Sequence, residues 1–157
     1  MSPAPVAIGS NQDQHPQVLR RKPRALVVDD SATILHAICA LLEHHKIVDL
    51  AGRAESGEEA IDAALALRPD LVLMDADMPG MSGLRASLML WQVCPSTKVV
   101  LMTMDRNPEL RRACCSCGAF AVIYKPTFLS ELGELLNGDA FQHANAHPAQ
   151  PVATIMR

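Results

Sequence analysis

Leu71-Val72-Leu73-Met74-Asp75 is an unbroken apolar run that stops at a carboxylate. A short run without polar alternation reads as a strand buried on both faces, the pattern of a parallel sheet covered by helices. Leu26-Val27-Val28-Asp29-Asp30 repeats the pattern upstream, and Val99-Val100-Leu101-Met102-Thr103 and Ala121-Val122-Ile123-Tyr124-Lys125-Pro126 repeat it downstream. Strand ends on one side of a parallel sheet share a rim, so carboxylates, a hydroxyl and an ammonium converge there. Crowded carboxylates repel unless a cation lies among them, and hard divalent cations such as Mg²⁺ prefer oxygen ligands. The rim is therefore a candidate metal and phosphoryl site.

Helical patterns fill the intervals. Ser31 is a good N-cap for a first helix carrying Ile34, Leu35, Ile38, Leu41 and Leu42 at helical spacing. Residues 47–54 read as a strand and Glu55-Ser56-Gly57 as a turn and cap; Ala60, Ile61, Ala64, Leu65 and Leu67 mark a second helix, stopped by Pro69. Ala76-Asp77-Met78-Pro79-Gly80-Met81-Ser82-Gly83 is a loop, with Met78 and Met81 packing it. A third helix is predicted over residues 84–93, with Leu84, Leu88 and Trp91 or Met89 turned inward. Pro108 starts a fourth, carrying Leu110, Ala113, Cys114 and Cys117, and Gly118 ends it with a left-handed cap. Residues 99–102 and 119–124 are predicted as the fourth and fifth strands, and Leu129, Leu132, Leu135 and Leu136 line a last helix ending by Gly138. Right-handed crossovers then predict an α/β, doubly wound, five-stranded parallel sheet with helices on both faces.

The 157 residues fit one domain over residues 24–137, with a flexible N-terminal arm at 1–23 and a weakly ordered tail at 138–157. A net charge of -3 gives no electrostatic footprint for nucleic acid. Arg20-Arg21-Lys22-Pro23-Arg24 reads as a solvated lead-in to the first strand. With 3% aromatic residues the core must be aliphatic. Neither a signal-peptide pattern nor a membrane-spanning run occurs, so the expectation is a soluble cytoplasmic protein with no membrane partner and no direct DNA binding. The five cysteines are expected as free thiols, and Cys114-Cys115-Ser116-Cys117 lacks a matching Cys or His pair at zinc-finger spacing. His36, His44 and His45 fall on the first helix as surface or partly buried residues.

Val27-Val28-Asp29-Asp30-Ser31, Leu73-Met74-Asp75-Ala76-Asp77-Met78-Pro79-Gly80-Met81-Ser82-Gly83, Met102-Thr103 and Tyr124-Lys125-Pro126 together resemble the receiver domain of bacterial two-component response regulators, over about residues 24–137. The resemblance implies a CheY-like, flavodoxin-like fold of strand order 2-1-3-4-5. It makes Asp75 the phosphoacceptor that attacks a phosphohistidine. Asp30 would hold Mg²⁺ directly and Asp29 through water, with Asp75 and the backbone carbonyl of Asp77 completing the protein ligands. Lys125 would neutralise a phosphoryl oxygen or Asp75 itself, and Thr103 would donate its hydroxyl to the phosphoryl group, drawing its loop inward. The implied partners are a sensor histidine kinase or histidine phosphotransfer protein and a downstream protein target. A homodimer through the fourth helix, fifth strand and fifth helix would use the charges of Arg106, Glu109, Arg111, Arg112, Glu131 and Glu134.

Two positions depart from the usual receiver pattern. Val122 stands where many receivers have Tyr or Phe, and strand alternation sends Phe120 and Tyr124 to the face opposite Ile123. Met104 stands where a small residue is commoner, and is expected to narrow access to an acyl phosphate. The expected function is a stand-alone, non-enzymatic phosphoacceptor, with a phosphorelay shuttle or phosphate sink as variants. An aspartyl-phosphate phosphatase resembling the haloacid dehalogenases would carry an Asp-x-Asp pair, as in Asp75-Ala76-Asp77, but on its first strand rather than its third. A flavin site is disfavoured because Asp29-Asp30 would repel the flavin phosphate.

Overall fold

The computed structural model describes residues 21–143; most of the expected flexible arm and all of the tail beyond residue 143 lie outside them. Strands β1 (Arg24–Val28), β2 (Asp49–Ala54), β3 (Leu71–Asp75), β4 (Lys98–Thr103) and β5 (Ala121–Tyr124) pair in parallel in the order β2-β1-β3-β4-β5. Alternate strand residues feed two separate cores. Ala25, Val27, Leu71, Leu73, Val100, Met102 and Ile123 meet helices α1 (Ala32–His45) and α5 (Phe128–Asn137) on one face. Leu26, Val28, Val72, Met74, Val99 and Leu101 meet α2 (Gly57–Leu67), α3 (Gly83–Val93) and α4 (Pro108–Ser116) on the other. Period-two alternation in chains covered on both sides makes every position apolar, which is why the runs carry no polar stripe.

The caps set the helix phases. Ser31, Ser56 and Ser82 accept the N–H groups of Ile34, Glu59 and Arg85, and Asn107 accepts that of Glu109. Gly118 takes φ +76, the left-handed conformation expected after α4. The inward faces, however, are narrower than the apolar patterns imply. On α1 the buried residues are Leu35, Ile38, Cys39 and Leu42, whereas Ile34 and Leu41 are exposed; on α2, Leu65 is exposed as well.

The larger correction concerns α3. Its buried face is Gly83, Ala86, Ser87 and Leu90, while Leu88 and Trp91, expected inward, are exposed. Small residues face the sheet because the helix start presses on the end of β3: a Cβ on Gly83 would lie 2.1 Å from the Asp75 carbonyl oxygen. Of the large side chains read as inward, Leu84 does pack against the α2/α3/α4 core, whereas Leu88 and Trp91 fall outside the buried phase.

Both ends of the domain are also more fixed than expected. Arg21 donates to both Asp70 carboxylate oxygens at 2.7 and 2.9 Å, Arg24 N–H donates to Asp70 at 2.8 Å, and the Arg24 guanidinium donates to the Leu67 carbonyl at 2.8 Å. The basic lead-in is thus partly tied to the base of β3. Residues 139–143, expected within the weakly ordered tail, form a short helix α6 (Asp139–His143). Phe141 meets Phe120 edge-on with centroids 5.7 Å apart, and the Lys98 ammonium lies 4.8 Å from the Phe141 ring centre. Phe120 consequently sits in the α1/α5 core with Ile123, not opposite it: β5 begins at Ala121, so strand alternation does not reach back to it.

Two glycines carry opposite expectations. Gly83→Ala should lower the unfolding free energy by about 3 kcal/mol, the upper part of the usual overpacking range. Gly133→Ala, where a Cβ meets nothing within 4 Å, should raise it by up to about 1 kcal/mol through helix propensity. Parallel urea titrations of the two variants check both signs.

Candidate phosphoryl and metal site

In-phase parallel strands bring their C-terminal ends level. Val28 pairs with Met74, Asp75 with Met102 and Thr103 with Tyr124, so Asp29, Asp75, Thr103 and Lys125 stand at neighbouring points of one rim. Asp29 is almost completely buried. Its N–H donates to the Ala54 carbonyl, one carboxylate oxygen accepts the Ser31 N–H at 3.0 Å, and the other accepts the Lys125 ammonium at 2.7 Å. Asp30 is exposed, and Asp29, Asp30 and Asp75 each place a carboxylate oxygen within 4.8 Å of the others.

Asp75 divides its two oxygens between different tasks. Oδ1 accepts the Asp77 N–H at 3.2 Å and lies 3.2 Å from the Lys125 ammonium. Among the described residues no protein group hydrogen-bonds Oδ2. Burial pushes the Asp75 carboxyl above its ordinary range, opposed by the charge of Lys125 and by the Asp77 N–H and assisted by the charge of Asp29. Burial acts on Lys125 in the opposite direction to its neighbours: it disfavours the ammonium, but the hydrogen bond to Asp29 and the charges of Asp75 and Asp29 outweigh it and raise the lysine above its usual range. Lys125 stays cationic at neutral pH. One ammonium facing three carboxylates leaves an excess of negative charge with hard oxygen donors, which fits a divalent cation such as Mg²⁺.

Thr103 is buried, and its hydroxyl oxygen accepts the Asp105 N–H at 3.0 Å. A hydroxyl that accepts still has its proton to donate. Asp105 Oδ1 accepts the Asn107 N–H at 2.9 Å and Asn107 Oδ1 the Glu109 N–H at 2.8 Å, so a chain of short bonds joins Thr103 to the start of α4. Asp77 turns its side chain to solvent and contributes only its N–H to Asp75. Met104 is 62% exposed, and no burial holds it over Asp75. Val122 packs on the α2/α3/α4 side of the sheet.

Two residues expected only as surface charges are engaged at the rim instead. Glu131 accepts the Tyr124 N–H at 3.0 Å and the Thr127 hydroxyl at 2.6 Å, and the Arg106 guanidinium lies 4.1 Å from the centre of the Tyr124 ring. The available signal was position: Glu131 falls in the first turn of the helix that follows Lys125. The cysteines pack as hydrophobes, with Cys39, Cys94, Cys114 and Cys117 buried, and burial pushes the Cys114 thiol up to about 12. His36, His44 and His45 are exposed on α1.

The raised Asp75 carboxyl has a consequence for stability. The native state holds this proton to higher pH than the unfolded chain, whose carboxyl titrates near 3.8, so stability falls as pH rises through that window. In metal-free buffer Asp75→Asn should therefore have a higher thermal midpoint than the wild-type chain at pH 7. The gain should vanish once the pH is lowered past 3.8; melting curves of both proteins across the acid range check it.

Residues 25–137 match the family model for the response regulator receiver domain. The chain is 36% identical over 109 residues to response regulator GacA of Pseudomonas viridiflava, covering 69% of this chain and 51% of that protein. It is 36% identical over 107 residues to protein-glutamate methylesterase/protein-glutamine glutaminase 3 of Geobacter sulfurreducens, covering 68% of this chain and 29% of that protein. Among solved structures, the signal receiver domain of the putative response regulator NarL of Mycobacterium tuberculosis superposes with a TM-score of 0.71 at 24% identity, covering 79% of this chain and 99% of that one. The chain thus spans about half or less of the curated relatives it matches. No helix among the described residues is long and apolar enough to cross a membrane. On the match of residues 25–137, together with the sheet order and the acid-lysine rim, the chain belongs to the receiver domain family of two-component response regulators.

Proposed function

We propose that this receiver takes a phosphoryl group from a phosphohistidine onto Asp75. The observation that carries the reading is the division of labour at that carboxylate: Oδ1 is held by Lys125 and the Asp77 N–H, and Oδ2 has no protein hydrogen bond among the described residues. Oδ2 attacks phosphorus, the bond from phosphorus to the imidazole nitrogen breaks, and its electron pair leaves with the donor's ring, giving an acyl phosphate. Burial favours this chemistry by leaving the carboxylate poorly solvated, while the charge of Lys125 opposes its protonation.

Mg²⁺ would be held by Asp29, Asp30, Asp75 and the backbone carbonyl of Asp77. When bound, it supplies positive charge to offset the phosphoryl oxygens. Lys125 neutralises a further oxygen, and Thr103 turns its hydroxyl proton toward the phosphoryl group while its oxygen still accepts from Asp105. The phosphodonor is a sensor histidine kinase or a histidine phosphotransfer protein, and the phosphorylated surface signals to a protein partner. Turnover as an aspartyl-phosphate phosphatase is disfavoured because Asp75-Ala76-Asp77 closes the third strand, not the first.

Incubation with acetyl phosphate and Mg²⁺, followed by intact-mass spectrometry, should add one phosphoryl group per chain. Asp75→Ala or removal of Mg²⁺ by EDTA should abolish the adduct. Undiminished labelling of Asp75→Ala, or many turnovers on a generic phosphomonoester, would sink the reading.

A further inference from the structure

We infer that Glu131 is a positioning residue for Lys125, fixing the turn from which the lysine reaches the two buried carboxylates; this rests on the function proposed above. Lys125 opens a 3-10 turn at Lys125–Thr127, at the end of the edge strand β5. The turn is closed by the Phe128 N–H on the Lys125 carbonyl and by a 3.5 Å bond from the Thr127 hydroxyl to the Tyr124 carbonyl, but neither Tyr124 nor Thr127 makes a side-chain cap bond to the helix each precedes, and Pro126 has no N–H to offer. Among the described residues the outer edge of β5 has no neighbouring strand to take the Tyr124 N–H. A four-carbon lysine stem adds its own freedom, so the ammonium is only as well placed as the backbone that carries it.

Glu131 supplies what is missing. Its Oε2 accepts the Tyr124 N–H at 3.0 Å and its Oε1 accepts the Thr127 hydroxyl at 2.6 Å, so one carboxylate grips the chain on both sides of Lys125-Pro126. Bonds to an ionised acceptor are short and strong, and the first turn of α5 is where a helix favours negative charge. From the turn so held, the Lys125 ammonium meets Asp29 at 2.7 Å and Asp75 at 3.2 Å. Arg106, stacked on the ring of Tyr124, hangs the loop after Thr103 on the same residue. Glu131 touches no reacting atom and acts through the lysine alone.

The test follows two readouts in the full chain with saturating Mg²⁺: the rate of Asp75 phosphorylation by phosphoramidate, and the acetylation of Lys125 by an N-hydroxysuccinimide ester relative to Lys98, by peptide mass spectrometry. Glu131→Ala should slow phosphorylation roughly tenfold, the scale of a small misplacement, and raise the Lys125-to-Lys98 labelling ratio several-fold. Glu131→Gln, which keeps an acceptor oxygen, should recover most of both. Should Glu131→Ala fail to fold, Thr127→Val frees Oε1 alone and should move both readouts in the same direction. Wild-type rates in Glu131→Ala overturn the role of Glu131, as does a slowed rate with an unchanged labelling ratio, which marks a merely structural contact. A wild-type chain that takes no phosphoryl group overturns the reading of the site, and this inference with it.

Discussion

Two carboxylates, Asp29 and Asp75, are buried at the same rim, and the ammonium of Lys125 between them is what makes that tolerable. Burying one carboxylate costs several kcal/mol, and two near each other add mutual repulsion. Lys125 crosses from the edge strand to the ends of β1 and β3, so the first, third and fifth strands are tied by a single side chain. The tie is incomplete by design of charge: three carboxylates meet one cation. The leftover negative charge suits a divalent cation, and burial leaves Asp75 reluctant to ionise.

Everything close to the rim is built around that constraint. The loop after β3 turns the Asp77 N–H back onto Asp75, and α3 starts on a glycine because the Asp75 carbonyl leaves no room for a Cβ. The loop after β4 is held by short polar bonds, from Thr103 through Asp105 and Asn107 to the start of α4, rather than by apolar packing. Segments with few buried contacts open at low cost, and residues 104–107 of this loop are all exposed. Val122 is half-buried against the α2/α3/α4 core, whereas the Tyr124 ring carries Arg106 of that loop on its face.

The sheet was legible because parallel strands buried on two faces produce unbroken apolar runs, and because each run ends where a polar side chain can reach the rim. Asp29, Asp30, Asp75 and Lys125, all read at run ends, meet there. Helix faces were less legible. On α3, size misled, since Leu88 and Trp91 look like core residues and are displaced outward by the close approach at Gly83. On α1, Ile34 and Leu41 flank the buried stripe and lie outside it. Phe120 and Phe141 join across α6 through a contact between segments distant in sequence, which no local pattern encodes.

Sequence by itself determined the order of elements, the cap residues and the chemistry available at the rim, because these follow from short-range patterns of apolar period, turn residues and charge. Tertiary structure alone decided which face each helix buries, how the two Asp75 oxygens are shared, and that Glu131 and Arg106 serve the rim rather than the open surface. Those outcomes depend on distances of a few ångströms between separate elements. A carboxylate six positions beyond a lysine has no visible purpose until the turn between them closes.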